Sequence, residues 1–224
     1  MSLVAIDGQR GTGKSQLAGN LRDHFGCRVL EIGPVFRLIA WLMYSRSLTN
    51  VEDTFQPLEK AFETEFIRLD PLSSSRISAM RIEIRGHDSD QALWQPVLDN
   101  ILREIIQAPN AIARVRDLIR CLAHGDRVAV IGREAGVEFF PDASLKLFLE
   151  AKEEVRTLRK RRQTSKLHPV LCDTFSVDSP ERATKWKNAN GVLRLDTTQL
   201  TSAEVFDCVS RLIHDRLQWH NPPA

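Results

Sequence analysis

Short apolar runs and helically spaced apolar stripes alternate along the 224-residue chain. Residues 3–7 are apolar on both faces of an extended chain, the pattern of a strand buried in a parallel sheet. Residues 14–25 follow with Leu17, Leu21 and Phe25 at helical spacing. A second strand is predicted over 28–32, and Pro34 suits the first turn of a helix running to about Tyr44. Phe55, Leu58, Phe62 and Phe66 predict a helix over 52–67 with a charged outer face. Between 77 and 86, Ile82 and Ile84 alternate with Arg81, Glu83 and Arg85, as in a half-exposed strand or hairpin. Helices are expected over 93–107 and 112–124, with the break at Pro109 and Asn110. Buried strands at 127–131 and 145–149, a helix over 152–163, a strand at 192–196 and an amphipathic helix over 203–217 complete the chain. Strands alternating with helices imply an α/β fold, a parallel sheet with helices on both faces.

A composition of 42% hydrophobic and 27% charged residues is that of a single folded domain. The net charge of +2, from 31 basic and 29 acidic residues, gives no whole-molecule attraction to nucleic acid or a membrane surface, so neither is an expected partner. Cys27, Cys121, Cys172 and Cys208 lie too far apart for a zinc or redox motif and are read as reduced thiols. The glycine loop starting at Gly8 leaves no room for a secretion signal before it, and no apolar stretch is long enough to span a bilayer. A cytoplasmic protein is expected.

The sharpest motif is Gly8-Gln9-Arg10-Gly11-Thr12-Gly13-Lys14-Ser15, which fits GxxxxGK(S/T) between a strand and a helix. Such a P-loop turns successive backbone N–H groups toward phosphate oxygens at a helix N-terminus. Gly8, Gly11, Thr12, Gly13, Lys14, Ser15 and Gln16 are the expected contacts of a donor nucleotide, ATP or GTP. Lys14 is placed to reach the β- and γ-phosphates, and Ser15 to take one position of Mg²⁺. Arg10 points either to solvent or to a phosphate. The loop alone does not choose between a kinase, an NTPase motor, a GTPase switch and a nucleotide-binding remnant.

Phosphoryl transfer also requires cations around the acceptor. Arg37 and Arg133 each follow a predicted strand, at the carboxyl ends where open α/β sheets bind ligands. Arg156, Arg159, Lys160, Arg161 and Arg162 make the end of one helix strongly basic. That end either complements its helix dipole or begins a lid that brings arginines over the transferring group. Without interleaved aromatics it is a poor nucleic-acid surface.

These segments, in order, resemble the bacterial cytidylate kinases of the nucleoside monophosphate kinase group. Residues 4–8 with the P-loop are similar to that family's IDGPxGxGKS opening, and 33–37 to its GAMYR. Residues 132–136 resemble GRDIG, 140–149 follow FPDAxxKxFL, and 195–198 match LDTT. The resemblance implies ATP and Mg²⁺ as donor and cofactor, CMP or dCMP as acceptor, and a monomer. It implies that Arg37 and Arg133 hold the acceptor phosphate, with Lys14, Arg133, Arg159 and Arg162 as catalytic cations. It also implies one domain, with its core at 1–48, 125–151 and 190–218, an acceptor-binding insertion at about 49–124 and a lid at about 152–187.

The departures cluster on the acceptor side. Ile32 stands where the family has serine or threonine, and Phe36 replaces a tyrosine. Leu93-Trp94-Gln95 stands for Ile-Arg-Ser/Thr, and Ile131-Gly132-Arg133-Glu134 for Asp-Gly-Arg-Asp. Asp7, Glu31 and Glu134 are then the nearest carboxylates for the waters of Mg²⁺. The lid pattern RDxxRxxxPL is not visible, and Arg182 is the single arginine between 172 and 187. Arg37, Trp94, Arg133, Glu134 and Arg182 are the expected acceptor contacts. A site that lost those hydroxyls and that guanidinium reads the usual nucleoside less strictly. Expected function is therefore transfer of the ATP γ-phosphate to CMP, dCMP or a related phosphorylated metabolite. The alternatives are a non-catalytic nucleotide-binding module and a kinase of an unphosphorylated small molecule.

Overall fold

Neighbouring residues of the central strands face opposite ways, and both faces are apolar, so two separate layers of helices are needed to cover them. The computed structural model, which describes residues 2–64, 66–73, 78–164 and 188–220, supplies both. The strands are β1 (Ser2–Gly8), β2 (Arg28–Glu31), β3 (Ile67–Asp70), β4 (Arg81–Ile84), β5 (His87–Asp88), β6 (Arg127–Ile131), β7 (Leu145–Glu150) and β8 (Val192–Asp196). The helices are α1 (Lys14–Phe25), α2 (Ile32–Ser45), α3 (Phe55–Glu63), α4 (Asp90–Leu93), α5 (Leu98–Gln107), α6 (Pro109–Leu122), α7 (Glu153–Thr164) and α8 (Ser202–Leu217).

Five strands form one sheet in the order β2-β6-β1-β7-β8, and every pair in it is parallel. Leu3 and Ala5 of β1, with Leu30, Val128 and Val130, pack under α2, α5 and α6. Val4 and Ile6, with Ala129, Ile131 and Leu147, pack under α1 and α8. The fold is thus the expected α/β sandwich. The chain runs from β1 to β2 on one side and reaches β7 and β8 on the other, so the carboxyl end of β1 lies where the winding reverses.

The segment between α2 and β6 departs most from the predicted elements. The helix expected over 52–67 is a short 3₁₀ turn, Val51–Thr54, followed by α3, while Ile67 opens β3 and pairs with Ile84. Phe62 and Phe66 suit either a helix stripe or the entry to a strand, and pairing decides. The helix expected over 93–107 splits into α4 and α5, because Pro96 cannot donate an amide and disfavours a helical residue before it. The hairpin reading of 77–86 holds for β4 and β5, joined through Arg85 and Gly86 at φ +55° and +76°. Ile77, Cys172, Arg182 and the remainder of 165–187 lie outside the described residues. The last helix carries a capping box, in which Thr201 Oγ1 accepts from the Glu204 amide at 3.2 Å and Glu204 Oε2 from the Thr201 amide at 2.8 Å.

Candidate functional site

The loop between β1 and α1 is shaped by close approach. Gly8 has φ +144° and a Cβ there would lie 2.3 Å from the Leu149 carbonyl oxygen; at Gly11, φ +83°, it would lie 2.7 Å from that of Arg156. A Cβ on Gly13 would meet nothing within 4 Å, so the loop is wedged between β7 and α7 with its last glycine facing open space. Gly8→Ala should therefore destabilise the fold by at least about 2 kcal/mol, read as a lowered thermal midpoint.

Gly13 begins α1 with no side-chain cap and no acid in the first turn, which leaves first-turn amides for an anion. Lys14 Nζ is folded back on the loop, donating to the carbonyls of Gly8 (2.7 Å) and Gln9 (2.9 Å), and Thr12 Oγ1 donates to Gln9 at 2.8 Å. Ser15 Oγ donates to Glu31 Oε1 at 3.2 Å. The other Glu31 oxygen accepts from Ser78 Oγ (3.0 Å) and the Ala79 amide (2.8 Å). Gln16 is exposed and bonds Asn20 along its own helix.

Asp7 organises the neighbouring strand end. Its two carboxylate oxygens accept from the amides of Ala135 (2.6 Å) and Gly136 (2.7 Å), at the start of the π-helical turn Ala135–Phe139. That fixes the preceding Gly132, Arg133 and Glu134 beside the P-loop, and both Asp7 oxygens are spent on backbone. Burial pushes the Asp7 carboxyl up to about 6, against the two amides and the Lys14 charge; Glu134 adds to the rise. The unfolded group ionises near 3.8, so folding takes up a proton between that value and about 6. This group's contribution to stability therefore grows as pH falls through 6 and is lost as pH rises through it. Activity should move the opposite way, because a protonated Asp7 releases one of its amides and the Arg133 loop with it. A kcat limb near pH 6 that flattens in Asp7→Asn would bear this out; an identical limb in the variant would refute it.

Arg37 sits on α2, 4% exposed. Its Nη2 donates to Asp99 Oδ1 at 3.1 Å, its Nη1 to the Leu93 carbonyl at 2.9 Å, and its guanidinium carbon lies 4.2 Å from the centre of the Trp94 ring. Burial draws it down to about 10, Asp99 opposes, and the Arg10 cation adds to the fall, so it stays charged at neutral pH. Arg159 reaches the loop after β8: Nη1 to Thr197 Oγ1 (3.0 Å), Nη2 to the carbonyls of Thr197 (2.7 Å) and Leu200 (3.1 Å). The fully buried Thr197 hydroxyl is also 3.2 Å from the Thr12 carbonyl oxygen, so α7, this loop and the P-loop are stitched together. Arg162 is exposed on the last turn of α7.

The structure thus brings Lys14, Ser15 and Asp7 together at the carboxyl end of β1, with the backbone just after Arg133 and Glu134 tied to Asp7, and holds Arg37 with Trp94. Asp99, Ser78 and Thr197 carry contacts that sequence reasoning missed. Asp99 had a visible signal, since a carboxylate beside Leu98, Leu102 and Ile105 on the buried face of α5 needs a cation. A cavity of about 760 Å³ lies away from the crevice, between β2, α3 and α6, lined by Val29, Phe55, Leu58, Met80 and Leu118 among others. Among the described residues no helix is long and apolar enough to cross a membrane. The single hydroxyl of Ser15 beside a phosphate cradle suits Mg²⁺, which is held by one or two protein ligands together with substrate phosphates and water.

A family model described as cytidylate kinase matches residues 4–215. The cytidylate kinase of Streptomyces griseus is 30% identical over 225 residues, covering 96% of this chain and 93% of the relative. That of Streptomyces avermitilis is 28% identical with the same coverage, and that of Caldanaerobacter subterraneus is 29% identical, covering 94% of this chain and 93% of its own. With the P-loop crevice on a parallel sheet and a match over nearly its whole length, the chain belongs to the cytidylate kinase family, and so to the ATP-dependent nucleotide kinases.

Proposed function

We propose that this protein moves the γ-phosphate of ATP to CMP, dCMP or a related phosphorylated metabolite. The observation that carries the reading is the shared crevice: Asp7, one residue before the P-loop, holds the amides that follow Arg133 and Glu134. The P-loop and the Arg133 segment are therefore anchored to one strand end, while Arg37 comes from α2. On this reading the α1 amides and Lys14 hold the donor phosphates once Lys14 leaves the Gly8 and Gln9 carbonyls. Arg37 and Arg133 hold the acceptor phosphate, Glu134 and Trp94 border the acceptor, and Arg159 and Arg162 add positive charge from α7. Arg182 would complete the acceptor contacts. Mg²⁺, held through Ser15, would neutralise charge on the β- and γ-oxygens. An acceptor phosphate is already ionised, so no general base is needed. Residues 49–124 serve as the acceptor-binding insertion and 152–187 as the lid of a cytoplasmic monomer.

A second reading, a kinase of an unphosphorylated hydroxyl, is favoured by one observation: Arg37 is buried and committed to Asp99. Glu134 would then be the base, since Asp7 is spent on backbone. ADP release measured over nucleoside monophosphates, sugars and aminoglycosides, with and without Mg²⁺, separates the two. Turnover with CMP or dCMP supports the first; turnover only with unphosphorylated acceptors supports the second; ATP binding with no turnover leaves a nucleotide-binding module.

A further inference from the structure

Three contacts of the Arg37 guanidinium come from one short stretch. Leu93 ends α4, Trp94 follows it, and Asp99 lies in the first turn of α5, with Pro96 enforcing the bend between them. The side chains of the ion pair are 5% and 4% exposed, so no acceptor phosphate reaches the guanidinium while the pair is closed. The pair is also incomplete: Asp99 Oδ2 is buried without a hydrogen-bond partner among the described residues. A buried carboxylate left half satisfied is held less firmly than one whose oxygens are all engaged, which favours a contact made to be exchanged.

We propose that Asp99 is a specificity-determining residue for the acceptor, occupying Arg37 as an internal anion that only a doubly charged phosphate monoester displaces. The inference rests on Arg37 being the acceptor-phosphate cation. A carboxylate and a phosphate monoester compete for the same guanidinium face, and the phosphate brings more charge and more acceptor oxygens to it. A singly charged diester or carboxylate matches Asp99 at best and gains nothing by replacing it. Trp94, stacked on the guanidinium, reports the exchange through its emission.

Asp99→Asn removes the competitor's charge and keeps its shape, so the acceptor KM should fall by about tenfold, as expected when a buried cation loses its internal partner; the KM for ATP should stay where it was. In the unsubstituted protein, with the P-loop saturated by a non-hydrolysable ATP analogue, inorganic phosphate should change the emission that Trp94→Phe removes, and dimethyl phosphate should not. An acceptor KM unchanged or raised in Asp99→Asn, alongside a raised KM in Arg37→Ala, overturns the inference and spares the acceptor assignment. An unchanged KM in Arg37→Ala overturns that assignment itself. Should Asp99→Asn fail to fold, the titration of the unsubstituted protein decides, and no phosphate-dependent Trp94 signal refutes the exchange.

Discussion

Lys14→Ala is expected to lower kcat by at least about a thousandfold, roughly 4 kcal/mol of transition-state stabilisation. The ammonium now bridges the Gly8 and Gln9 carbonyls at 2.7 and 2.9 Å, beneath first-turn amides that carry no side-chain cap. Those carbonyls are weaker partners than a triphosphate, so the lysine is parked rather than locked. On the proposed reading alanine removes a charge that follows the phosphoryl group through transfer, and the Thr12 hydroxyl, which also bonds the Gln9 carbonyl, supplies no charge in its place. Loss should be concentrated in kcat, since amides and glycines still bind part of the nucleotide. Single-turnover phosphoryl transfer with saturating ATP is the measurement; a kcat within tenfold of the original would remove Lys14 from the chemistry.

The second large effect is at Arg37. Arg37→Ala should raise the acceptor KM and lower kcat together, by about 100-fold in kcat/KM, the worth of a lost charge-assisted hydrogen bond. It should also destabilise the protein by about 3–5 kcal/mol, because Asp99 is left as an uncompensated buried charge. The two effects separate in a double variant. Arg37→Met with Asp99→Asn removes both charges, so stability should recover while kcat/KM stays low. If kcat/KM recovers as well, the loss in the single variant came from folding alone.

The donor side was legible in the sequence because its constraints are local. Gly8, Gly11 and Gly13 owe their identity to backbone conformation and close approach within one loop, and Lys14 follows at fixed spacing. Both strands and helices around them are long runs of one period. The acceptor side was less legible because its contacts join residues far apart. Arg37 and Asp99 are 62 positions apart, and nothing in either segment names the other. By sequence Asp7, like Glu31 and Glu134, is a candidate carboxylate for metal-bound waters, whereas its oxygens take the Ala135 and Gly136 amides, a choice set by a turn across the β1–β6 pair. The 52–67 stripe has the spacing of one helix, but Ile67 serves a pairing with Ile84 that only the folded chain reveals.

Strand β1 has no spare face. Leu3 and Ala5 serve one helical layer, Val4 and Ile6 the other, and Asp7 and Gly8 continue the same alternation into the crevice. A one-residue deletion ahead of Gly8 would exchange the two layers' side chains and turn Asp7 away from its amides at once. On the proposed reading, substitutions that alter the choice of acceptor without disturbing the sheet belong to the parts hung on it, such as the bend at Pro96 and the side chains of α5.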